Sequence, residues 1–255
     1  MGFLSFRPRL VESPHLPPPR LKQECSLASI ALGRSSPEAT SIMTWLESAE
    51  RCGPGQEDPL FDWIAHYSSR EQLAWFVAQE TQREASFDED LALTEVGARH
   101  DRHLRDFLAE LRSHGQALGY GACLSEVRAA LPNRSGIQEI ANVLESRETL
   151  RALAASPAHL FHSAGALAMR ELAAERRLRS LRKAIWRLGI TSLSRLSAPA
   201  GSLREDASAP LASDALYLSV SGNAAATRSF TEGAWLNLRL NARCFEVFRK
   251  TLFVY

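Results

Sequence analysis

The sequence predicts an all-α fold, and three observations support this prediction. Apolar residues recur at helical spacing from Asp58 to Gly189. Prolines and glycines divide that region into segments of helix length. Apolar residues make up 45% of the 255 residues, which is typical of a packed protein rather than a disordered one. We therefore expect a helical bundle.

Most helices of this bundle have recognisable start signals. Asp58-Pro59 places a proline in the first turn of a helix, where proline is tolerated. Ser69, with Gln72 as its capping-box partner, starts a long helix over 70–96. The other helices are expected at 43–50, 100–114, 122–131, 135–155 and 157–188.

The two ends of the chain differ from the bundle. Residues 1–40 contain the run Pro17-Pro18-Pro19, which blocks helices and central strands, and they predict a proline-rich, poorly ordered extension. Residues 41–192 form the predicted helical-bundle domain. Residues 193–255 predict an irregular C-terminal segment, because serine, alanine and glycine dominate up to residue 233 and the remainder suits either a helix or a strand.

Charge and cysteine content exclude several classes of function. The net charge is +1, so no global field steers the chain to nucleic acid or to a membrane. The four cysteines form no CxxC pair, which argues against a zinc site and fits reduced thiols. No apolar run reaches the roughly 20 residues needed to span a bilayer. We therefore expect a cytoplasmic protein with neither a nucleic-acid nor a membrane partner.

Two glutamates interrupt the apolar stripe of the predicted helix over 70–96. Leu73, Phe76 and Val77 share one face at 100° per residue, and Glu80 and Glu84 fall in the centre of that face. A buried carboxylate is costly unless it is paired, protonated or bound to a metal. The sequence therefore predicts a compensating partner for these two side chains.

Three explanations for the glutamates remain open from the residues alone. Arginines of the basic segment 170–187 could reach inward and form buried ion pairs. Alternatively, the carboxylates belong to an iron or manganese site inside the bundle. In the third explanation the helix is rotated and they are solvated. The helix over 100–114 offers Glu110 and His114 on successive turns of one side, either as metal ligands or as a polar rim.

The segment 58–97 resembles a known family. Its matching features are the LFDWI helix, then WFVAQE, then REASFDEDLALTEVG leading into a glycine turn. These features resemble the iron-containing redox enzyme family of the haem-oxygenase-like di-iron oxidase superfamily, whose members have a TenA/PqqC-like fold. The resemblance continues to residue 113 and is thin over 160–195.

The resemblance implies a haem-oxygenase-like helical bundle that uses iron and dioxygen to oxidise a small molecule. It places Glu80 at the first glutamate ligand and Glu110 near the second. His114 lies close to them in sequence, and Glu84 would be a bridging or supporting carboxylate. We therefore predict iron as the cofactor, with Glu80, Glu110, His114 and Glu84 as candidate metal ligands.

The chain departs from the family pattern at the remaining ligand positions. Tyr120 stands where the family has a histidine, Ser192 stands where it has a glutamate, and no histidine follows His162. Either the member is degenerate, or the residues after about 192 come from a shifted reading frame. The prediction is an iron-dependent oxidoreductase with an incomplete metal site. The alternative is a non-catalytic helical protein that binds a small molecule or a protein partner.

Overall fold

Ten α-helices form the described part of the chain. The computed structural model describes residues 42–53, 58–131, 137–190 and 214–253, and the predicted extension over 1–40 lies outside them. These described residues contain no strand, so the all-α prediction is confirmed for them. None of their helices is both long and apolar enough to cross a membrane. The helices are α1 (Ile42–Cys52), α2 (Leu60–His66), α3 (Arg70–Glu84), α4 (Phe87–Gly97), α5 (Arg102–Leu118), α6 (Tyr120–Ala130), α7 (Ala141–Ala154), α8 (Leu160–Arg187), α9 (Asp214–Val220) and α10 (Ala224–Leu252).

The two longest helices, α8 and α10, form the centre of the bundle and run side by side in the same direction. Near the start of α8, Gly165 meets the backbone of Phe230 in α10. At the other end, the carbonyl oxygens of Leu188 and Leu252 both accept hydrogen bonds from side chains in the first turn of α3. These contacts fix the two helices at both ends.

The crossing of α8 and α10 depends on two glycines. A Cβ atom on Gly165 would lie 1.9 Å from the carbonyl oxygen of Phe230, and a Cβ atom on Gly233 would lie 1.8 Å from that of His162. Both distances are far below van der Waals contact, and the opposing atoms belong to the backbone. Only glycine therefore permits this approach.

The prediction of an irregular C-terminal segment is wrong for residues 214–253, which form α9 and α10; residues 193–213 lie outside the described residues. The helical period of α10 was obscured by its many polar residues. Its buried side chains nevertheless recur every three or four positions: Phe230, Ala234, Asn237, Leu238, Asn241, Cys244, Phe245, Phe248 and Leu252. The side chains of α10 belong to both apolar clusters, together with helices from the first half of the chain.

The predicted long helix over 70–96 is divided into α3 and α4 by a turn at Ala85 and Ser86. The Ser86 hydroxyl donates to the Asp90 carboxylate at 2.8 Å, a local bond that competes with continued helix formation. The turn lets the two helices bury different faces. Leu73 of α3 packs in a first apolar cluster with α2, α6 and the ends of α8 and α10, whereas Leu91 of α4 packs in a second with α1, α5 and α9.

Other helix limits follow local chemistry. The Asp58 carboxylate accepts from the Leu60 amide at 2.9 Å, and Ser69 and Gln72 form the predicted capping box. The helix predicted over 100–114 extends further than expected, because α5 continues to Leu118 and ends only at Gly119, whose φ is 64°.

Candidate functional site

Both glutamates of the apolar stripe lie in a group of buried charges between the two apolar clusters. In α3 the charged residues are three and four positions apart, so they share one side of the helix. In α8 the two arginines are seven positions apart, which also places them on one side. We call this group the buried charge cluster; it consists of Glu80, Arg83, Glu84, Asp90, Arg170 and Arg177.

Glu80 is completely buried and is held by two strong hydrogen bonds. Arg83, one turn further along α3, donates to its Oε2 atom at 2.7 Å. The Tyr120 hydroxyl donates to the same oxygen at 2.8 Å. The Arg177 Nε atom lies 3.8 Å away, close enough for charge attraction. Tyr120 is the position at which the family resemblance implies a histidine, so a phenol contacts Glu80 at that position.

Glu84 is surrounded by three guanidinium groups. Arg170 donates to one carboxylate oxygen at 3.2 Å, while Arg83 and Arg177 donate to the other at 3.3 and 3.4 Å. Burial alone raises the pKa of Glu84, but the positive charges of Arg170, Arg177 and Arg83 outweigh burial and hold this pKa below its ordinary value of 4.5. Glu84 is therefore ionised in the folded protein at neutral pH.

The lowered pKa of Glu84 gives a pH-dependent contribution to stability. The contribution is complete above the unfolded pKa of about 4.5 and is lost as the pH falls through the lower folded pKa. We expect the free energy of unfolding, measured by urea denaturation, to decrease with falling pH below about 4.5. The Glu84→Gln variant should show a shallower decrease. An equally steep decrease in this variant would contradict the role assigned to Glu84.

The pKa of Asp90 is shifted in the opposite direction from that of Glu84. Burial raises the pKa of its carboxyl group above the ordinary value of 3.8, although the Ser86 hydroxyl and Arg170 lower it. Its contribution to stability is therefore complete below a pH of about 3.8 and is lost as the pH rises through the folded pKa. The Glu84→Gln comparison is needed because these two effects overlap in the wild-type protein.

Arg170 and Arg83 connect the cluster to the backbone and to α10. Arg170 donates to the carbonyl oxygen of Arg83 at 2.7 Å and to Asp90 at 3.4 Å. Arg83 also donates to the Asn241 side chain, whose own amide donates to Asn237 at 2.9 Å. Four helices, α3, α4, α8 and α10, are therefore linked through this cluster. The two asparagines were not predicted, although their four-residue spacing within the buried stripe of α10 was a signal.

Aromatic rings at the borders of the apolar clusters lie close to the guanidinium groups. The Arg83 guanidinium carbon lies 5.5 Å from the centre of the Phe245 ring, and that of Arg177 lies 5.2 Å from Tyr120. The Arg170 guanidinium carbon lies 5.0 Å from the centre of the Phe87 ring, which packs against the second apolar cluster. Ring faces are negative and attract cations, so these contacts partly replace the hydration that the arginines lose on burial.

The buried charge cluster contains three guanidinium groups and three carboxyl groups, so its formal charges balance. Its hydrogen bonding is less complete. Among the described residues, five atoms of this cluster are buried without a hydrogen-bond partner: Glu80 Oε1, Arg83 Nε, Asp90 Oδ1, and Nε and Nη1 of Arg177. This arrangement can hold helices in register, since pairing is set by several charges at once.

The other two predicted metal ligands lie elsewhere. Glu110 is exposed on α5, where partial burial and the nearby charges of Asp106 and Asp214 raise the pKa of its carboxyl group. His114 is partly buried, and its Nδ1 atom lies 3.0 Å from the Glu171 carboxylate. Sequence spacing put Glu110 and His114 on successive turns of one helix side, but the packing of α5 against α8 separates their environments.

An iron site at Glu80 and Glu84 does not fit the residues that surround them. A cation needs free carboxylate lone pairs, and both oxygens of Glu84 are engaged by Arg83, Arg170 and Arg177. At Glu80, Oε2 accepts two hydrogen bonds and Oε1 alone is unpartnered. The same arginines would repel a metal ion. In the described ranges, no group of three or more histidine, cysteine, aspartate or glutamate side chains is placed to hold a metal. Of the three explanations left open by the sequence, the structure shows the first, in which arginines of 170–187 pair with the glutamates.

Comparisons with known protein families, with curated proteins and with solved structures find no match to this chain. The resemblance of residues 58–97 to iron-containing redox enzymes therefore stays a prediction.

Proposed function

We propose that this protein is a non-catalytic helical protein that acts by binding a partner at its surface. The observation that supports this proposal is the pairing of both stripe glutamates with buried arginines. Glu80 and Glu84 are the residues on which an internal reaction site would depend, and Arg83, Arg170 and Arg177 hold them in ion pairs.

The competing function is oxidation of a small molecule with iron and dioxygen. It would require Glu80, Glu84, Glu110 and His114 to surround one metal. Glu110 is exposed and His114 is bound to Glu171, so this assembly would need both helix α5 and the arginines to move. Breaking several buried charged hydrogen bonds at once is costly, which favours the non-catalytic function.

Metal content tests this proposal directly. We expect the purified protein, incubated with Fe(II) without oxygen and then desalted, to retain iron only at background and to consume no oxygen when air is admitted. Glu80→Gln and the exposed Glu145→Gln should give the same background. Stoichiometric iron in the wild-type protein that is lost in Glu80→Gln but kept in Glu145→Gln would overturn the proposal.

A further inference from the structure

The C-terminal half of α8 has an exposed basic face that the core does not use. Arg179, Lys183 and Trp186 follow each other at spacings of four and three residues, so they lie along one side of the helix. The Arg179 side chain is 67% exposed and Trp186 is 87% exposed. An indole this exposed leaves a large apolar area in water at the end of a basic row.

The end of α2 adjoins this face. The Arg187 guanidinium donates to the carbonyl oxygens of Ser68 at 2.6 Å and Ala65 at 3.1 Å, which fixes the end of α8 against the end of α2. Tyr67 lies between Ala65 and Ser68 in the chain and is 47% exposed. Arg70 donates to the Leu188 carbonyl at 2.8 Å while remaining exposed. We call Tyr67, Arg70, Arg179, Lys183 and Trp186 the Trp186 face.

We infer that the Trp186 face binds an acidic segment of a partner protein that also carries an apolar side chain. This inference rests on the proposed function and names the partner's chemistry. Trp186 would pack against the apolar side chain, and Arg179 and Lys183 would pair with carboxylates. Tryptophan and arginine are the side chains that most often dominate protein interfaces. The rise of a helix places positions 179 and 186 roughly 10 Å apart, so a short segment is long enough to contact all of them.

Two other anionic partners fit this face less well. Single-stranded nucleic acid is held by several stacking aromatics along a continuous basic groove. Here Glu175, one turn before Arg179 and 3.6 Å from it, ends the basic row, and the net charge of the chain is only +1. A membrane-binding helix inserts its apolar side, but Leu178, Leu181 and Ile185 of α8 are buried in the first apolar cluster.

Peptide binding tests the inference. The probe is a short fluorescent peptide of glutamate and leucine, with a peptide of lysine and leucine for comparison, and binding is read by anisotropy. We expect the acidic peptide alone to bind. Trp186→Ala and Lys183→Glu should each weaken binding at least tenfold. Arg243→Glu, a charge change at an exposed arginine that contacts Glu145 instead, should leave binding unchanged.

Three results would overturn the inference: no binding of the acidic peptide, binding that Trp186→Ala leaves unchanged, or tighter Trp186-dependent binding to an oligonucleotide or to phosphatidylserine vesicles. Circular dichroism of each variant confirms that it is folded, which is expected because the replaced side chains are exposed. Iron is measured in the same preparation. Retained iron counts against the proposed function, whereas absent iron with absent peptide binding counts against this inference alone.

Discussion

Gly165→Ala is expected to destabilise the protein by about 3 kcal/mol or more, because the added methyl group cannot fit between α8 and α10. Its carbon would start 1.9 Å from the Phe230 carbonyl oxygen, and ordinary contact begins near 3.4 Å. The two longest helices must therefore separate, which loosens both apolar clusters at once. Chemical denaturation followed by circular dichroism measures the effect. Gly233→Ala should behave similarly, since its methyl group meets the His162 carbonyl oxygen.

Gly121→Ala is the matched control for this prediction. Gly121 is also helical, in α6, but a Cβ atom there has no neighbour within 4 Å. Alanine favours helix over glycine by up to about 1 kcal/mol, so this variant should be as stable as the wild type or slightly more stable. If Gly165→Ala were as stable as Gly121→Ala, α8 and α10 would not be in backbone contact.

Arg170→Met is expected to lower the free energy of unfolding by about 3–5 kcal/mol, the range for removing one partner of a buried ion pair. The arginine is 2% exposed and contacts Glu84, Asp90 and the Arg83 carbonyl oxygen. Methionine fills much of the same space but donates no hydrogen bond to those oxygens. Arg83 and Arg177 still contact Glu84, whereas Asp90 loses the positive charge of Arg170. The loss should shrink as the pH falls, because protonation removes the uncompensated carboxylate charges.

Arg179→Met provides the comparison within the same helix. Its guanidinium is mostly exposed and lies 3.6 Å from Glu175 one turn earlier. Exposed pairs of this kind contribute little, so we expect a change below about 0.5 kcal/mol. Equal effects of Arg170→Met and Arg179→Met in denaturant titrations would show that Arg170 is not buried in an ion network.

The features that sequence patterns predicted well are local ones. The start of α2 at Asp58 and the capping box of α3 depend on residues two or three positions apart, and both are observed. The break at Ser86 was missed, because one helical period was assumed from residue 70 to residue 96. In the structure Leu73 and Leu91 pack in different apolar clusters. Local bonding of Ser86 to Asp90, combined with packing on two separate clusters, favours the turn instead.

The C-terminal helix shows how composition can mislead. Serine, alanine and glycine up to residue 233 suggested an irregular segment, yet α10 is the longest helix of the described chain. Its buried positions include Asn237 and Asn241, which bond to each other, and Asn241 also accepts from Arg83. A polar residue therefore belongs to the buried stripe when a partner on another helix satisfies it.

By itself the sequence determined that the fold is helical and that Glu80 and Glu84 need a compensating partner. Both conclusions follow from spacing along one chain segment and from the cost of burying a carboxylate. It did not determine which partner compensates the two glutamates, because a metal and an arginine satisfy the same requirement.

Tertiary packing decided that the partners are arginines. Arg170 and Arg177 lie about 90 positions further along the chain, and the crossing of α8 with α3 brings their guanidinium groups to Glu84. Glu110 and His114 lie away from the buried charge cluster because of the way α5 packs in the bundle. No local sequence pattern predicts that packing.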